Sequence, residues 1–179
     1  MQRAGRLILI ALTAPLLLAS PAMTQTPAPA EAATGTLCAS TRAVLASAGA
    51  RGWTAQTAPK TFTWEEGTKT CEMTNRGGTV TCDLLTISVC EGSEPPQEVK
   101  DAYSTTNRDL GRQGPGLILA CLPNRMAEGF ATPGSAVSMQ GVEFTAQGEP
   151  KIRLFQRIEH STVRGKKCVD QKVQIDFSR

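Results

Sequence analysis

Six cysteines, one histidine, a glycine cluster, an adjacent acid pair and a strip of two arginines around a phenylalanine are the residues whose types and spacing could do chemistry. The cysteines are Cys38, Cys71, Cys82, Cys90, Cys121 and Cys168. Thiolates in Cys-x-x-Cys pairs bind zinc or exchange disulfides, but no two of these stand at that spacing, and one histidine is too little for a mixed zinc site. An even count in an exported chain reads as a disulfide framework. Any histidine-based triad, proton shuttle or metal site would have to use His160, which falls at a strand end beside a polar turn. No Gly-x-Ser-x-Gly turn supplies it with a nucleophile. It reads as an exposed strand-end residue, and we assign no catalytic residue, metal ligand or cofactor.

Gly111-Arg112-Gln113-Gly114-Pro115-Gly116 is rich enough in glycine to suggest a phosphate cradle. A cradle runs from strand into helix and carries lysine with serine or threonine, whereas here a predicted helix runs into a predicted strand with no lysine between. A helix stop followed by a tight turn is the expectation. Glu65 and Glu66 are two acids, as glycoside hydrolysis needs, but neighbours on a strand point to opposite faces and these two fall in a turn. Aromatic residues, 4% of the chain, leave little for a sugar-stacking cleft.

The strip is Arg153, Phe155 and Arg157. Residues 151–179 hold eight lysines and arginines against Glu159, Asp170 and Asp176. Alternation places Ile152, Leu154 and Ile158 toward a core and these three on the opposite face, where an aromatic between two cations could dock an acidic partner.

The elements that position these residues follow from period and turn signals. Thr36 as cap, Leu37, Val44 and Leu45, and Gly49 as stop predict a short helix. Phe62 and Trp64 alternate on a first strand, and Thr68–Thr74, the turn Asn75-Arg76-Gly77-Gly78 and Thr79–Cys90 form a hairpin. Symmetry about Arg76 and Gly77 sets Cys71 opposite Cys82 and Met73 opposite Val80, within disulfide reach. The apolar parity switch from Val80, Cys82 and Leu84 to Leu85, Ile87 and Val89 calls for a bulge. Pro95 and Pro96 open a helix carrying Val99, Ala102, Tyr103, Thr106 and Leu110, ending at Gly111. Leu117–Leu122 reads as a buried strand and 124–134 as a loop. Strand patterns follow on two successive segments, one carrying Val137 and Met139 and the next Val142 and Phe144, and then at Ile152–Ile158 and Val169–Phe177. If the segments ending at Cys90 and Cys121 are parallel neighbours, those two cysteines pair, which leaves Cys38 with Cys168. The expected class is α+β, a mainly antiparallel sheet of a meander plus C-terminal hairpins, with one or two helices on a face, stapled by disulfides.

The N-terminus sets the compartment. Arg3 and Arg6 precede an apolar run from Leu7 to Ala19 and the small residues before Met23, the form of a signal peptide over 1–22. The run is shorter than the roughly 20 residues a membrane span needs, and Pro15 interrupts it, so no transmembrane anchor is expected after cleavage. Residues 23–36, with Pro27 and Pro29, read as a flexible spacer and 37–179 as one disulfide-bonded domain. The net charge of +3 includes the two signal arginines, so the exported part is close to neutral and carries no sign of a nucleic-acid binder. These readings point to a periplasmic or secreted, non-enzymatic binding protein, such as an inhibitor, immunity factor or accessory subunit. Its partner would be another exported protein or an anionic envelope surface. The alternatives are a small exported hydrolase whose carboxylates meet only in the fold, and a structural envelope protein.

Overall fold

The computed structural model describes residues 35–74 and 78–179. The expected signal peptide, the spacer through residue 34 and the hairpin turn at 75–77 lie outside the described residues. The first helix among the described residues is α1 (Thr36–Ala46), whose N-cap is Gly35, so Thr36 is its first helical residue and not its cap. Leu37, Cys38, Thr41 and Val44 bury one stripe of α1, and the Thr41 hydroxyl is satisfied by donating to the Leu37 carbonyl at 2.7 Å.

Among the described residues, seven strands form one antiparallel sheet. They are β1 (Thr61–Trp64), β2 (Gly67–Thr74), β3 (Thr79–Cys90), β4 (Met126–Thr132), β5 (Val137–Thr145), β6 (Lys151–Val163) and β7 (Lys166–Ser178). Their spatial order is β1-β2-β3-β7-β6-β5-β4, which makes two meanders joined where β3 lies against β7. With two helices on the sheet the class is α+β, as the patterns predict. The hairpin register sets Cys71 opposite Cys82 and Met73 opposite Val80. A register shift between Asp83 and Leu85 marks the bulge, so Val80 and Cys82 before it share one face with Leu85 and Ile87 after it. The predicted loop at 124–134 contains β4 instead, since MAEGFAT pairs along its whole length with β5. Small, polar and exposed residues hide that strand from any alternation argument.

Helix α2 (Gln97–Cys121) corrects two further expectations. It does not stop at Gly111, and Leu117–Leu122 is not a strand: Leu117–Cys121 completes the helix and Leu122 is its C-cap. The buried residues Leu110, Gly114, Ile118 and Cys121 fall at helical spacing and explain why tertiary packing overrides the glycines. A Cβ at Gly114 would lie 2.7 Å from Leu154 Cδ2, so the bare backbone is what lets the helix settle onto β6. Pro115 lacks the N–H that would have bonded the Gly111 carbonyl, a loss that this long helix carries.

The helices cover one sheet face, and between them lie Phe62, Leu84, Phe144, Ile152, Ile175 and Phe177, all fully buried. Trp53, in the connection after α1, closes this core. Its indole donates to the Val44 carbonyl and the Ser47 hydroxyl, and its ring meets Phe177 edge-on at 6.3 Å.

Three disulfides are formed, and none of the six cysteines is free. Cys71 pairs with Cys82, as the hairpin geometry predicts. The other two bonds differ from expectation: Cys38 pairs with Cys121, and Cys90 with Cys168. The parallel crossover that would have joined Cys90 to Cys121 does not exist, because Cys121 ends a helix. β3 instead runs antiparallel to β7 with Cys90 directly opposite Cys168, while Cys121 meets α1. There Arg42 donates to the Cys121 carbonyl at 2.8 Å, satisfying an otherwise open group at the α2 C-terminus. No helix among the described residues is long and apolar enough to cross a membrane.

Candidate functional site

The sheet face away from the helices is polar and curved. Thr70 and Glu72 on β2, Thr81 and Asp83 on β3, and Lys172, Gln174 and Asp176 on β7 project from it. Arg153, Phe155, Arg157 and Glu159 on β6 and Met139 on β5 complete it, around a cavity of about 710 Å³. Alternation along the paired strands puts them together, since residues opposite one another across antiparallel strands share a face. Phe155 faces Gln174, Arg153 faces Asp176, and Arg157 faces Lys172. The three strip residues therefore share the face opposite Ile152 and Leu154, as alternation predicts.

Their surroundings are not those of a free basic strip. Arg153 Nη2 donates to Asp176 Oδ2 at 2.8 Å and Arg157 Nη2 to Glu159 Oε2 at 3.0 Å. Lys172 Nζ donates to Asp83 Oδ2 at 3.0 Å, and Gln174 Nε2 to the other oxygen of Asp83 at 2.6 Å. Three carboxylates from three strands thus pair with the three cations of this face, and Glu72 on β2 is a fourth acid in its lining, so the face carries no positive excess. Phe155 is buried at 4% exposure, so no flat aromatic patch is presented.

Phe155 is held by a gap in its neighbour. Gly141 lies between Phe130 on β4 and Phe155 on β6 in the same row of the sheet. With no side chain there, the two rings close over it to 6.0 Å between centroids. The Arg153 guanidinium lies 5.5 Å from the Phe155 ring and 5.8 Å from Phe130, a cation against two aromatic rings.

The floor of the cavity carries unmet hydrogen-bonding capacity. Gln174 and Asp176 are each 5% exposed. Their Oε1 and Oδ1 atoms, and the Nε atoms of Arg153 and Arg157, have no partner among the described residues. Burial pushes the Asp176 carboxyl above the ordinary aspartate value, against the opposing pull of the Thr81 hydroxyl and the Arg153 and Arg157 guanidiniums.

His160 is exposed on β6 opposite Val169, with no acid or nucleophile bonded to its side chain among the described residues. Gly111–Gly116 is helical and forms no cradle. Glu65 and Glu66 lie in the turn between β1 and β2. No cluster of metal-ligating side chains occurs among the described residues. Asp83, Gln174 and Asp176 escaped sequence reasoning because each reads as the polar half of an alternating strand. Only the register of β3 on β7 on β6 brings them beside Arg153 and Arg157.

The chain matches no family model, and neither a curated protein nor a solved structure proves similar to it.

Proposed function

We propose that this protein is an exported, non-enzymatic binding domain that holds a polar segment of another exported protein against the concave face around Arg153, Phe155 and Arg157. The observation that carries this reading is the floor of that face. Buried polar atoms are nearly always hydrogen-bonded, and here an Asp176 oxygen, a Gln174 oxygen and two arginine Nε groups of that face have no partner among the described residues. A ligand bearing both donors and acceptors, such as extended peptide with polar side chains, answers that set. The balance of charges and the concavity suit such a segment better than a flat anionic surface. Three disulfides and an N-terminal segment of signal-peptide form support export.

A small hydrolase is the second reading. It draws on the raised Asp176 carboxyl sharing a cleft with Glu72. Against it, Asp83, Glu159 and Asp176 each hold a cation within 3.0 Å, an arrangement that fixes carboxylates as acceptors. The experiment is crosslinking in the native envelope, followed by purification of the wild type and an Arg153→Ala/Arg157→Ala variant. Binding predicts a co-purifying protein whose recovery falls about tenfold or more in a variant that remains folded. Equal recovery overturns the reading.

A further inference from the structure

A second cavity, of about 720 Å³, lies on the other side of the sheet, between α2 and strands β4 to β6. Its size falls in the range of small-molecule sites, roughly 300–1,000 Å³. Leu110 and Pro115 of α2 form its roof, and Val142, Leu154 and Val173 its floor. Gly129 on β4 lies opposite Val142 and Val142 opposite Leu154, so the row that would otherwise fill the space ends in a residue with no side chain. The nearest atom to a Cβ built at Gly129 is 4.0 Å away, which leaves the outer end of the groove open.

The charges at this groove have one sign. Arg108 and Arg112 line it from successive turns of α2, and no carboxylate lines it among the described residues. Arg108 makes only a loose, exposed pair with Asp109 at 3.7 Å, and Arg112 makes no ion pair among the described residues. A mainly apolar slot, whose lining also includes the uncharged Asn107, Gln140 and Gln156, with two available guanidiniums at its rim is complementary to one kind of occupant: a single apolar chain ending in an anionic head. We propose that the groove between α2 and β4–β6 binds a free single-chain anionic amphiphile, its tail along Leu110, Val142 and Leu154 and its carboxylate or comparable head on Arg108 and Arg112. Phe155 lines both cavities, but Arg108, Leu110, Arg112 and Gly129 line only this one, so the proposal does not depend on the function proposed for the concave face.

Calorimetric titration of the purified protein with dodecanoate below its aggregation concentration tests this, with dodecanol and dodecyltrimethylammonium as neutral and cationic controls. One-to-one dodecanoate binding is expected, stronger than dodecanol and far stronger than the cation. Arg108→Ala/Arg112→Ala should weaken dodecanoate about tenfold or more while leaving dodecanol unchanged. Gly129→Leu, on an exposed edge strand where the fold tolerates bulk, should abolish binding of both, with an unchanged thermal midpoint showing that the sheet is intact. The proposal fails if dodecanoate does not bind, if the cation binds as well, or if dodecanoate affinity survives either variant.

Discussion

Gly141 shows how much one missing side chain can organise. A Cβ there would collide with the Leu154 carbonyl oxygen and lie 2.5 Å from Phe155 Cβ and 2.6 Å from its Cα, atoms that cannot swing aside. Gly141→Ala should therefore lower stability by about 1–3 kcal/mol, a small-to-large change in a packed site, read as a drop in the urea midpoint at constant slope. An unchanged midpoint would mean that Phe155 does not rest on Gly141 as described. Asp176 offers a second residue-scale test, through pH. Its folded-state carboxyl is raised above the ordinary value of 3.8, chiefly by burial, so the folded chain holds that proton more tightly than the unfolded chain. Stability from this group is then largest at low pH, falls as pH climbs from 3.8 through the raised value, and levels off above it. Asp176→Asn removes the titration. Urea melts at a series of pH values should show the variant gaining on the wild type across that window and running parallel above it. Parallel curves throughout would contradict the burial of this carboxyl.

At the scale of elements, legibility tracked how local the deciding interaction was. The β2–β3 hairpin, its Cys71–Cys82 bond and the bulge after Asp83 were readable because adjacent strands, turn glycines and apolar parity settle them. Helix α2 is readable only over its first half, because Gly111, Gly114, Pro115 and Gly116 argue locally for a stop, and only contact with Leu154 gives Gly114 its reason. Read as a strand, its last turns set Cys121 beside Cys90, whereas as a helix end they bring it to Cys38. Arg125 is hidden from a local reading for a similar reason. It follows α2 in what reads as a loop, yet its guanidinium is buried and donates to the carbonyls of Phe144 and Pro150 and to Glu149 Oε2. Burial lowers its pKa and Glu149 pulls it back up, so the group remains the cation that clamps the start of β4 to the β5–β6 turn. Arg125→Ala should cost about 2–4 kcal/mol in urea unfolding, because two buried carbonyls lose their donor. A loss below about 0.5 kcal/mol, the scale of an ordinary surface change, would show that the clamp is idle.

At the scale of the molecule, the three disulfides divide the work. Cys71–Cys82 spans 11 residues and ties one hairpin, whereas Cys38–Cys121 spans 83 and fastens α1 to the end of α2. On the chain-entropy account, removing the long-range bond by Cys38→Ala/Cys121→Ala should cost about 4–5 kcal/mol, against about 3 kcal/mol for Cys71→Ala/Cys82→Ala. Urea unfolding of the two oxidised variants compares them, and the reverse order would count against the helix pair as a unit held by that bond. With the helices fixed to one side, the sheet keeps its other face open, and the charges gathered there form the proposed binding surface. Its most direct test is a photoreactive side chain placed at exposed Glu72 on the rim of the concave cavity, compared with one at exposed Glu98 on α2, both activated in the native envelope. A discrete protein adduct from position 72, lost when Arg153 and Arg157 are replaced by alanine and not formed from position 98, is the predicted result. No adduct from position 72, or the same adduct from both positions, would contradict it.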